Sequence, residues 1–171
     1  MGRVLALPVA LLTMSLAPGL DAGPAGATRR LFVIERSLNA NAVAYDVVTT
    51  GTGQLDPGSP LRAYWIMNAR CGEVEELTFA ERSWAYGYDV RMCDPKRCTV
   101  ALRALKDRPI VVEIERGEPR AITRIGAEPA VLRSVFVSVR RGGALPVVES
   151  LELFGETCVD AAPVSERISR R

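Results

Sequence analysis

Short runs in which apolar and polar residues alternate dominate the sequence beyond residue 30. In the stretch IVVEIE, Ile110, Val112 and Ile114 fall on one side of an extended chain, and Glu113 and Glu115 fall on the other. The same period of two runs through CTVALRAL, VLRSVFVSV and VESLELF. Because successive side chains of a strand point to opposite faces of a sheet, this period predicts strands with one buried and one solvated face.

Turn segments separate these alternating runs. GTGQLDPGSP, DPKR, ERGEPR and RRGGALP each concentrate Gly, Pro, Asp or charged residues, which end strands and form tight turns. Their recurrence predicts about eight or nine short strands in a single domain spanning residues 28–171. The predicted fold class is therefore all-β, either an antiparallel β-sandwich or a barrel, and periodicity alone does not choose between the two.

One segment, LTFAERSWAYG, departs from the alternation and predicts a short helix. Thr78 precedes Glu81 by the spacing of a capping box, and Gly87 stands where such a helix would end. At helical spacing, one side of this helix would carry Leu77, Ala80 and Trp84. Trp84 is therefore expected in the core, and stacking on a ligand is the alternative.

Residues 1–27 are typical of a secretory signal peptide. A basic start precedes the apolar run VLALPVALLTMSLA, and Ala25 and Ala27 form a small-residue cleavage pattern. Prolines and an aspartate interrupt the run before it reaches the roughly 18–20 apolar residues that span a bilayer. We therefore expect a mature chain that begins at Thr28, lacks a transmembrane segment and is exported to the periplasm or the medium.

The four cysteines predict disulfides, because an exported chain folds in an oxidising compartment. Cys93 and Cys98 flank the DPKR turn, where a bridge could close a hairpin. That pairing would leave Cys71 to bond with Cys158. The chain contains no histidine and no C-x-x-C pair, so the sequence predicts neither a metal site nor a cofactor.

Several segments together resemble a known bacterial family. The order and spacing of FVIERSLNANAVAYD, LDPGSPLRAYWIM, EELTFAERSWAYGY, VESLELFGE and VSERI are similar to those of the domain of unknown function DUF4833, over residues 31–168. The resemblance implies a small, often exported, β-rich domain and supplies no activity, cofactor or catalytic residue. The cysteines do not belong to the family pattern, so the disulfides would be particular to this member.

The residue types leave one enzymatic alternative. Without histidine the usual nucleophile–base arrangements lack their base, and Lys96 and Lys106 lie in turns, where an exposed ammonium makes a poor base. Paired carboxylates could still serve as acid and base in a glycosidase-like hydrolase. The candidate acids are Glu35, Asp46, Glu75, Glu76 and Glu81. Two aromatic residues near them, Tyr64 and Trp65, could stack on a sugar.

Noncatalytic binding is the favoured function. Asparagine offers both a donor and an acceptor, and a polar set drawn from several strands could line one end of the β structure. The residues predicted to contact a small polar or anionic ligand, or a component of the cell envelope, are Arg36, Asn39, Asn41, Tyr45, Tyr64 and Arg82. Asn39 has a second interpretation as a bend, because asparagine also bonds its own backbone. Glu81 and Arg82, like Glu35 and Arg36, could instead supply internal ion pairs that pin the helix to the sheet.

The charge composition of the chain bears on the class of partner that it could bind. The formal net charge is only +2 and the charges are interspersed, which argues against nucleic acid as a partner. A third interpretation is a structural role, in which an edge strand or an apolar patch pairs with another envelope protein.

Overall fold

The structure, a computed structural model, describes residues 29–142 and 145–169. The predicted signal peptide, residues 1–27, lies outside the described residues. Eleven strands run through the described ranges: β1 (Arg29–Arg36), β2 (Asn39–Val47), β3 (Leu61–Met67), β4 (Glu73–Glu76), β5 (Tyr88–Cys93), β6 (Arg97–Leu102), β7 (Ile110–Glu115), β8 (Glu118–Ile125), β9 (Glu128–Gly142), β10 (Leu145–Thr157) and β11 (Pro163–Ser169). The helical segments are short, and none in the described ranges is long and apolar enough to cross a membrane.

All eleven strands belong to one sheet, with the long strand β9 at its centre. β10 pairs along one edge of β9, and β11 pairs with β10. On the other edge, the start of β9 pairs with β8 and its later residues pair with β1. From that edge the first arm continues through β2 and β3 to β4, and the second arm continues through β7 and β6 to β5.

The structure confirms a β-rich fold with one short helix and bears out the predicted architecture only in part, because its sheet in the described ranges has eleven strands where eight or nine were predicted and is neither a closed barrel nor wholly antiparallel. The sheet is a single curled sheet, like half of a barrel, rather than an antiparallel sandwich. It is mixed, because β1 runs parallel to β9 from the Val33–Ser134 pair to the Arg36–Val137 pair. These partners lie about 100 residues apart in the chain, and alternation is a local signal that does not report distant pairing.

The core lies on the inner face of the curl and follows the predicted alternation. In β7, Ile110 and Val112 are fully buried, whereas Glu115 is exposed. In β1 and β2 the rings of Phe32 and Tyr45 stack with their centroids 4.5 Å apart. Burial of such apolar surface supplies the main driving force for the curl.

Hydrogen bonds tie the two arms together across the open side. The Tyr88 hydroxyl, at the start of β5, donates to the carbonyl oxygen of Leu61 (2.6 Å) and accepts from its N–H (3.2 Å). The N–H of Leu55 donates to the carbonyl oxygen of Pro95, in the β5–β6 turn, at 2.9 Å. The first arm is thereby held close to the far end of the second.

The predicted helix forms as α1 (Phe79–Glu81) and is one turn long. Its capping box is confirmed, because the Thr78 hydroxyl accepts from the N–H of Glu81 and the Glu81 carboxylate accepts from the N–H of Thr78. Beyond Glu81 the chain widens into a π turn, Arg82–Tyr86. This widening shifts the spacing of the side chains, so Trp84 is exposed and the prediction that it packs in the core is wrong.

Gly87 ends the π turn, although not through a left-handed conformation. Its backbone is extended, with φ −72° and ψ 176°. A Cβ at this position would overlap the carbonyl oxygen of Arg82, so the close approach of two backbone segments requires glycine.

One of the two predicted disulfides forms, and the other does not. Cys93 and Cys98 are paired across the β5–β6 hairpin and form a disulfide, with Cα atoms 4.0 Å apart. Cys71 and Cys158 are exposed and free, so the structure contradicts the second predicted bridge. The N–H of Cys158 bonds to Pro129, at the start of β9, whereas Cys71 follows β3 at the end of the sheet towards which β9 runs. A disulfide requires Cα atoms within about 7 Å, which this placement excludes.

Candidate functional site

Two cavities adjoin the π turn. The first, the apolar pocket, has a volume of about 310 Å³ and lies between β1, β9, β10 and the π turn, with walls that include Ile34, Leu38, Val137 and Leu151. The second, the polar cleft, has a volume of about 570 Å³, and its walls include Arg62 and Glu76. Arg103 lines both cavities.

Arg36, the last residue of β1, is held rigidly in the wall of the apolar pocket. Its guanidinium carbon lies 4.4 Å from the centroid of the Trp65 ring and 5.9 Å from that of Tyr86. One terminal nitrogen donates to the Tyr86 hydroxyl (3.2 Å) and the other donates to Oδ1 of Asn39 (3.3 Å). Cation–π contact and two hydrogen bonds therefore fix the plane of the guanidinium group.

Glu81 supports this arrangement from the helix side. Its Oε1 accepts from Nε1 of Trp65 (3.0 Å), and its Oε2 accepts from the backbone and the hydroxyl of Thr78 (2.8 Å each). Partial burial acts to raise the pKa of Glu81, but the hydrogen bonds from Thr78 and Trp65 and the charge of Arg36 outweigh it, so this pKa lies below its ordinary value. Glu81 is therefore ionised at neutral pH and acts as a brace for Trp65.

Two arginine nitrogens in the wall of the apolar pocket have no acceptor. Arg103 lies in the 3₁₀ turn after β6 and pairs with Asp89 of β5 through a terminal nitrogen at 2.7 Å. The Nε atoms of Arg36 and Arg103 are both buried, and neither finds a hydrogen-bond partner among the described residues. A buried donor without an acceptor costs about 1–3 kcal/mol. None of the described residues that line this pocket carries a carboxylate, so the pocket combines apolar walls with positive charge.

The two asparagines have different roles. Oδ1 of Asn39 accepts from the backbone N–H of Asn41 at 3.2 Å as well as from Arg36, so Asn39 shapes the bend after β1 and positions the arginine. Asn41 is half-buried, and its Oδ1 finds no partner in the part of the chain that the structure describes. The bend interpretation therefore accounts for Asn39, which contacts a pocket residue rather than the pocket itself.

Tyr45 is a buried anchor and lies too deep to contact a ligand. The side chain is fully buried against Phe32, and its hydroxyl donates to the carbonyl oxygen of Tyr86 at 2.6 Å. Burial raises the pKa of Tyr45, with a smaller contribution from Tyr86. The residue therefore ties the end of the π turn to β2.

Tyr64 belongs to a polar network that lies outside both cavities. Its hydroxyl donates to Oδ2 of Asp46 (2.6 Å) and accepts from Arg30 (2.9 Å), which also bonds Oδ1 of Asp46 (2.6 Å). Burial and the bond to Asp46 raise the pKa of Tyr64. These contacts join β1, β2 and β3 and leave Tyr64 with a structural role.

Arg82 lines the polar cleft and forms an ion pair that joins the helical segment to β4. It donates to the carbonyl oxygen of Leu77 (3.1 Å) and to the carboxylate of Glu76 (2.8 Å). Arg62 bonds the same carboxylate at 2.6 Å. Two arginines therefore share one acid on the surface.

The pKa shifts of two of the candidate acids argue against a role as general acid. The hydrogen bond from Arg62 lowers the pKa of Glu76, and Glu81 is also shifted downward, whereas a general acid needs a raised pKa. Tyr64 and Trp65, proposed to stack on a sugar, are both buried. Of the remaining candidate acids, Glu35 is exposed on β1. Asp46 forms an ion pair with Arg30, and Glu75 forms one with Arg70.

Sequence reasoning found Arg36 and missed Arg103 and Tyr86. Arg103 directly follows the buried strand CTVAL, so its guanidinium must leave the core at the strand end. That position was a usable signal. Tyr86 gave no such signal, because its contact with Trp65, with ring centroids 5.1 Å apart, depends on the π turn.

Comparison with known proteins bears on the family alone. Residues 32–167 match the model of a family described as domain of unknown function DUF4833, which confirms the resemblance in the sequence. None of the curated proteins and none of the solved structures matches the chain.

Proposed function

The chain belongs to the DUF4833 family of domains of unknown function, and because that description names no activity, we propose a function from the apolar pocket. The protein binds, without catalysis, a small organic anion whose charged group meets Arg36 and Arg103 and whose apolar part lies against the pocket walls. Export to the periplasm or the medium is part of this proposal. The Cys93–Cys98 disulfide supports it, because such bonds persist in oxidising compartments.

The observation that carries the proposal is that two arginines, Arg36 and Arg103, line a cavity whose described lining has no carboxylate, and that the buried Nε of each finds no partner among the described residues. Carboxylate and phosphate oxygens accept hydrogen bonds from guanidinium groups in a bidentate geometry. An anion that enters the pocket would therefore meet the guanidinium groups of Arg36 and Arg103, and a small movement of these side chains would bring their buried Nε–H groups to it.

The apolar walls of the pocket determine which uncharged group the ligand can carry. Val137, Val139 and Leu151 offer hydrocarbon surface, which favours an apolar group over a sugar or an amino acid. The volume of about 310 Å³ lies at the lower end of the range for small-molecule sites. A carboxylate with a short alkyl chain fits both properties.

Rigidity of the site supports binding rather than catalysis. Trp65, Tyr86 and Asn39 hold Arg36 in place before any ligand arrives, which reduces the entropy that binding must overcome. The chain contains no histidine, and the pKa of Glu81, which bonds Trp65 beside Arg36, is lowered. Neither feature provides a general acid near the pocket.

Isothermal titration calorimetry with straight-chain carboxylates, and with alcohols of the same lengths, tests the proposal. We expect carboxylate affinity to rise with chain length until the pocket is full, and the alcohols to bind more weakly. Arg36→Met should weaken carboxylate binding about tenfold or more, because a charged hydrogen bond is lost. Arg133→Met, which breaks an exposed ion pair with Glu156, is the matched control and should bind like the wild type. Equal affinity for alcohols, or no effect of Arg36→Met, would overturn the proposal.

A further inference from the structure

Two large aromatic side chains project into solvent from the helical segment. Phe79 is 86% exposed and Trp84 is 83% exposed. Leu38 and Val148, which are also exposed, line the apolar pocket together with Trp84. Single exposed apolar residues are common on protein surfaces, but a group of them around the opening of a cavity marks an interaction site.

The segment that carries the two aromatic residues is anchored from behind. Glu81 bonds Trp65, the Tyr86 ring packs against the Trp65 ring, and Tyr45 bonds the carbonyl oxygen of Tyr86. The capping box fixes the start of the segment. Phe79 and Trp84 are therefore presented on a fixed support, so their exposure is a property of the fold.

Arginines surround this aromatic pair. Arg82 lies between Phe79 and Trp84 in the chain and shares the single carboxylate of Glu76 with Arg62. Arg36 and Arg103 line the neighbouring pocket. The acids that face these four arginines are Glu76, Glu81, Asp89 and, beside Arg62, Asp46, which also pairs with Arg30. With Arg30 included, five arginines meet four acids, so the surface keeps one excess positive charge.

We propose that Phe79, Trp84, Leu38 and Val148 insert into the surface of an anionic lipid bilayer, which places the opening of the apolar pocket at the lipid interface. Tryptophan and phenylalanine beside arginine are the composition of interfacial membrane anchors, since the rings enter the acyl boundary while the guanidinium groups stay among the headgroups. A protein partner would need a continuous surface of about 1,000 Å² or more in total, whereas the exposed apolar group here consists of a few side chains, with a charged residue, Arg82, between the two aromatic residues in the chain.

This inference goes beyond ligand binding, and the two proposals can fail separately. Phe79 lines the polar cleft and not the apolar pocket. Phe79→Ser should therefore weaken membrane binding and leave carboxylate binding unchanged. Arg36→Met should weaken carboxylate binding strongly and membrane binding only slightly, because it removes the guanidinium group of the pocket wall but only one of the charges beside the aromatic pair.

Cosedimentation with vesicles of equal parts phosphatidylglycerol and phosphatidylcholine tests the docking surface. The wild-type protein should sediment with these vesicles and less with phosphatidylcholine alone. Phe79→Ser and Trp84→Ser should each weaken partition about tenfold or more, because each removes a buried aromatic group from the bound state. Val159→Ser is the matched control, since Val159 is 95% exposed in the β10–β11 turn, and it should sediment like the wild type.

Tryptophan fluorescence gives an independent measurement, because the chain has two tryptophans, exposed Trp84 and buried Trp65. Brominated lipids should quench the wild-type emission through Trp84. Trp84→Phe should keep vesicle binding, since phenylalanine also inserts, and should lose the quenching. Absence of vesicle binding, an equal loss in Val159→Ser, or a dimer in analytical ultracentrifugation that Trp84→Ser dissociates would overturn the proposal. The last result would assign the aromatic surface to a second copy of the chain.

Discussion

Arg36 shares a buried Nε without a partner among the described residues with Arg120, but unlike Arg120 it lies in the wall of the apolar pocket. It is fixed by Trp65, Tyr86 and Asn39, and it still carries a buried Nε–H without an acceptor. This donor has a cost that an apolar side chain of similar shape would avoid. The arrangement is explained if the missing acceptor arrives with a ligand.

Arg36→Met separates these two roles. The substitution loses the bonds to Tyr86 and Asn39 but also removes the unpaired donor, and the methionine side chain can still pack on Trp65. We expect the free energy of unfolding, measured in urea, to change by less than about 1 kcal/mol, while carboxylate affinity falls. A loss of about 3 kcal/mol or more would show that Arg36 serves the fold instead.

Tyr64, unlike Arg36, has a structural role, because its hydroxyl bonds the buried carboxylate of Asp46. Tyr64→Phe leaves the buried carboxylate of Asp46 with the bond from Arg30 alone. We expect urea denaturation to show a loss of about 1–2 kcal/mol, with carboxylate binding unchanged. Arg140→Gln, which breaks the exposed ion pair with Glu149, should cost less than about 1 kcal/mol. Equal effects of the two substitutions would contradict a structural role for the Tyr64 network.

At the scale of the elements, Gly155 allows β10 to follow β9 through a shift in register. The shift lies between Phe154 and Gly155, and a Cβ at Gly155 would overlap the carbonyl oxygen of Val131 and lie 2.7 Å from Cδ1 of Ile125. Gly155→Ala should therefore lower the thermal midpoint and cost about 2 kcal/mol. Gly51→Ala, where no heavy atom lies within 4 Å of the added Cβ, should have little effect. A wild-type midpoint for Gly155→Ala would contradict the described pairing of β9 and β10.

Elements whose signals are local could be predicted from the sequence. The alternation of β7 and the capping box of Thr78 and Glu81 each depend on residues within one element. The π turn depends on contacts between elements, because Tyr86 packs on Trp65 of β3 and Gly87 approaches Arg82. Helical spacing therefore placed Trp84 in the core, although it is exposed.

At the scale of the whole molecule, the curl decides which residues meet. Arg36 comes from the first arm and Arg103 from the end of the second arm, and both reach the apolar pocket because the arms close towards each other. Sequence patterns identified Arg36 and its neighbour Asn39. The same patterns also predicted Tyr45, Tyr64 and Arg82 as ligand-binding residues. A sequence pattern does not show on which face of the curled sheet a side chain lies, or which strands the curl brings together.

The contacts of Glu166, which lies beyond the edge of β9 opposite the two arms, predict how acid acts on stability. Glu166 of β11 accepts hydrogen bonds from Arg108 and from the N–H of Gly126 (2.7 Å), and so links β11 to the β8–β9 turn. The bond from Arg108 lowers the pKa of Glu166 below 4.5. The contribution of this carboxylate to stability is therefore complete above pH 4.5 and is lost as the pH falls through the lowered pKa.

Glu166→Gln tests this linkage by urea denaturation at several pH values. We expect a loss of about 2 kcal/mol at neutral pH, with a difference from the wild type that shrinks as the solution is acidified. Glu118→Gln, which breaks an exposed ion pair with Arg29, is the matched control. A difference between Glu166→Gln and the wild type that stays constant down to the acid transition would contradict the account.

The most direct test of the central claim is a crystal structure of the protein with octanoate. The account predicts carboxylate oxygens within hydrogen-bonding distance of the guanidinium groups of both Arg36 and Arg103, with the alkyl chain against Val137 and Leu151. Octanoate bound in the polar cleft beside Arg62 and Arg82, with the apolar pocket empty, would contradict it.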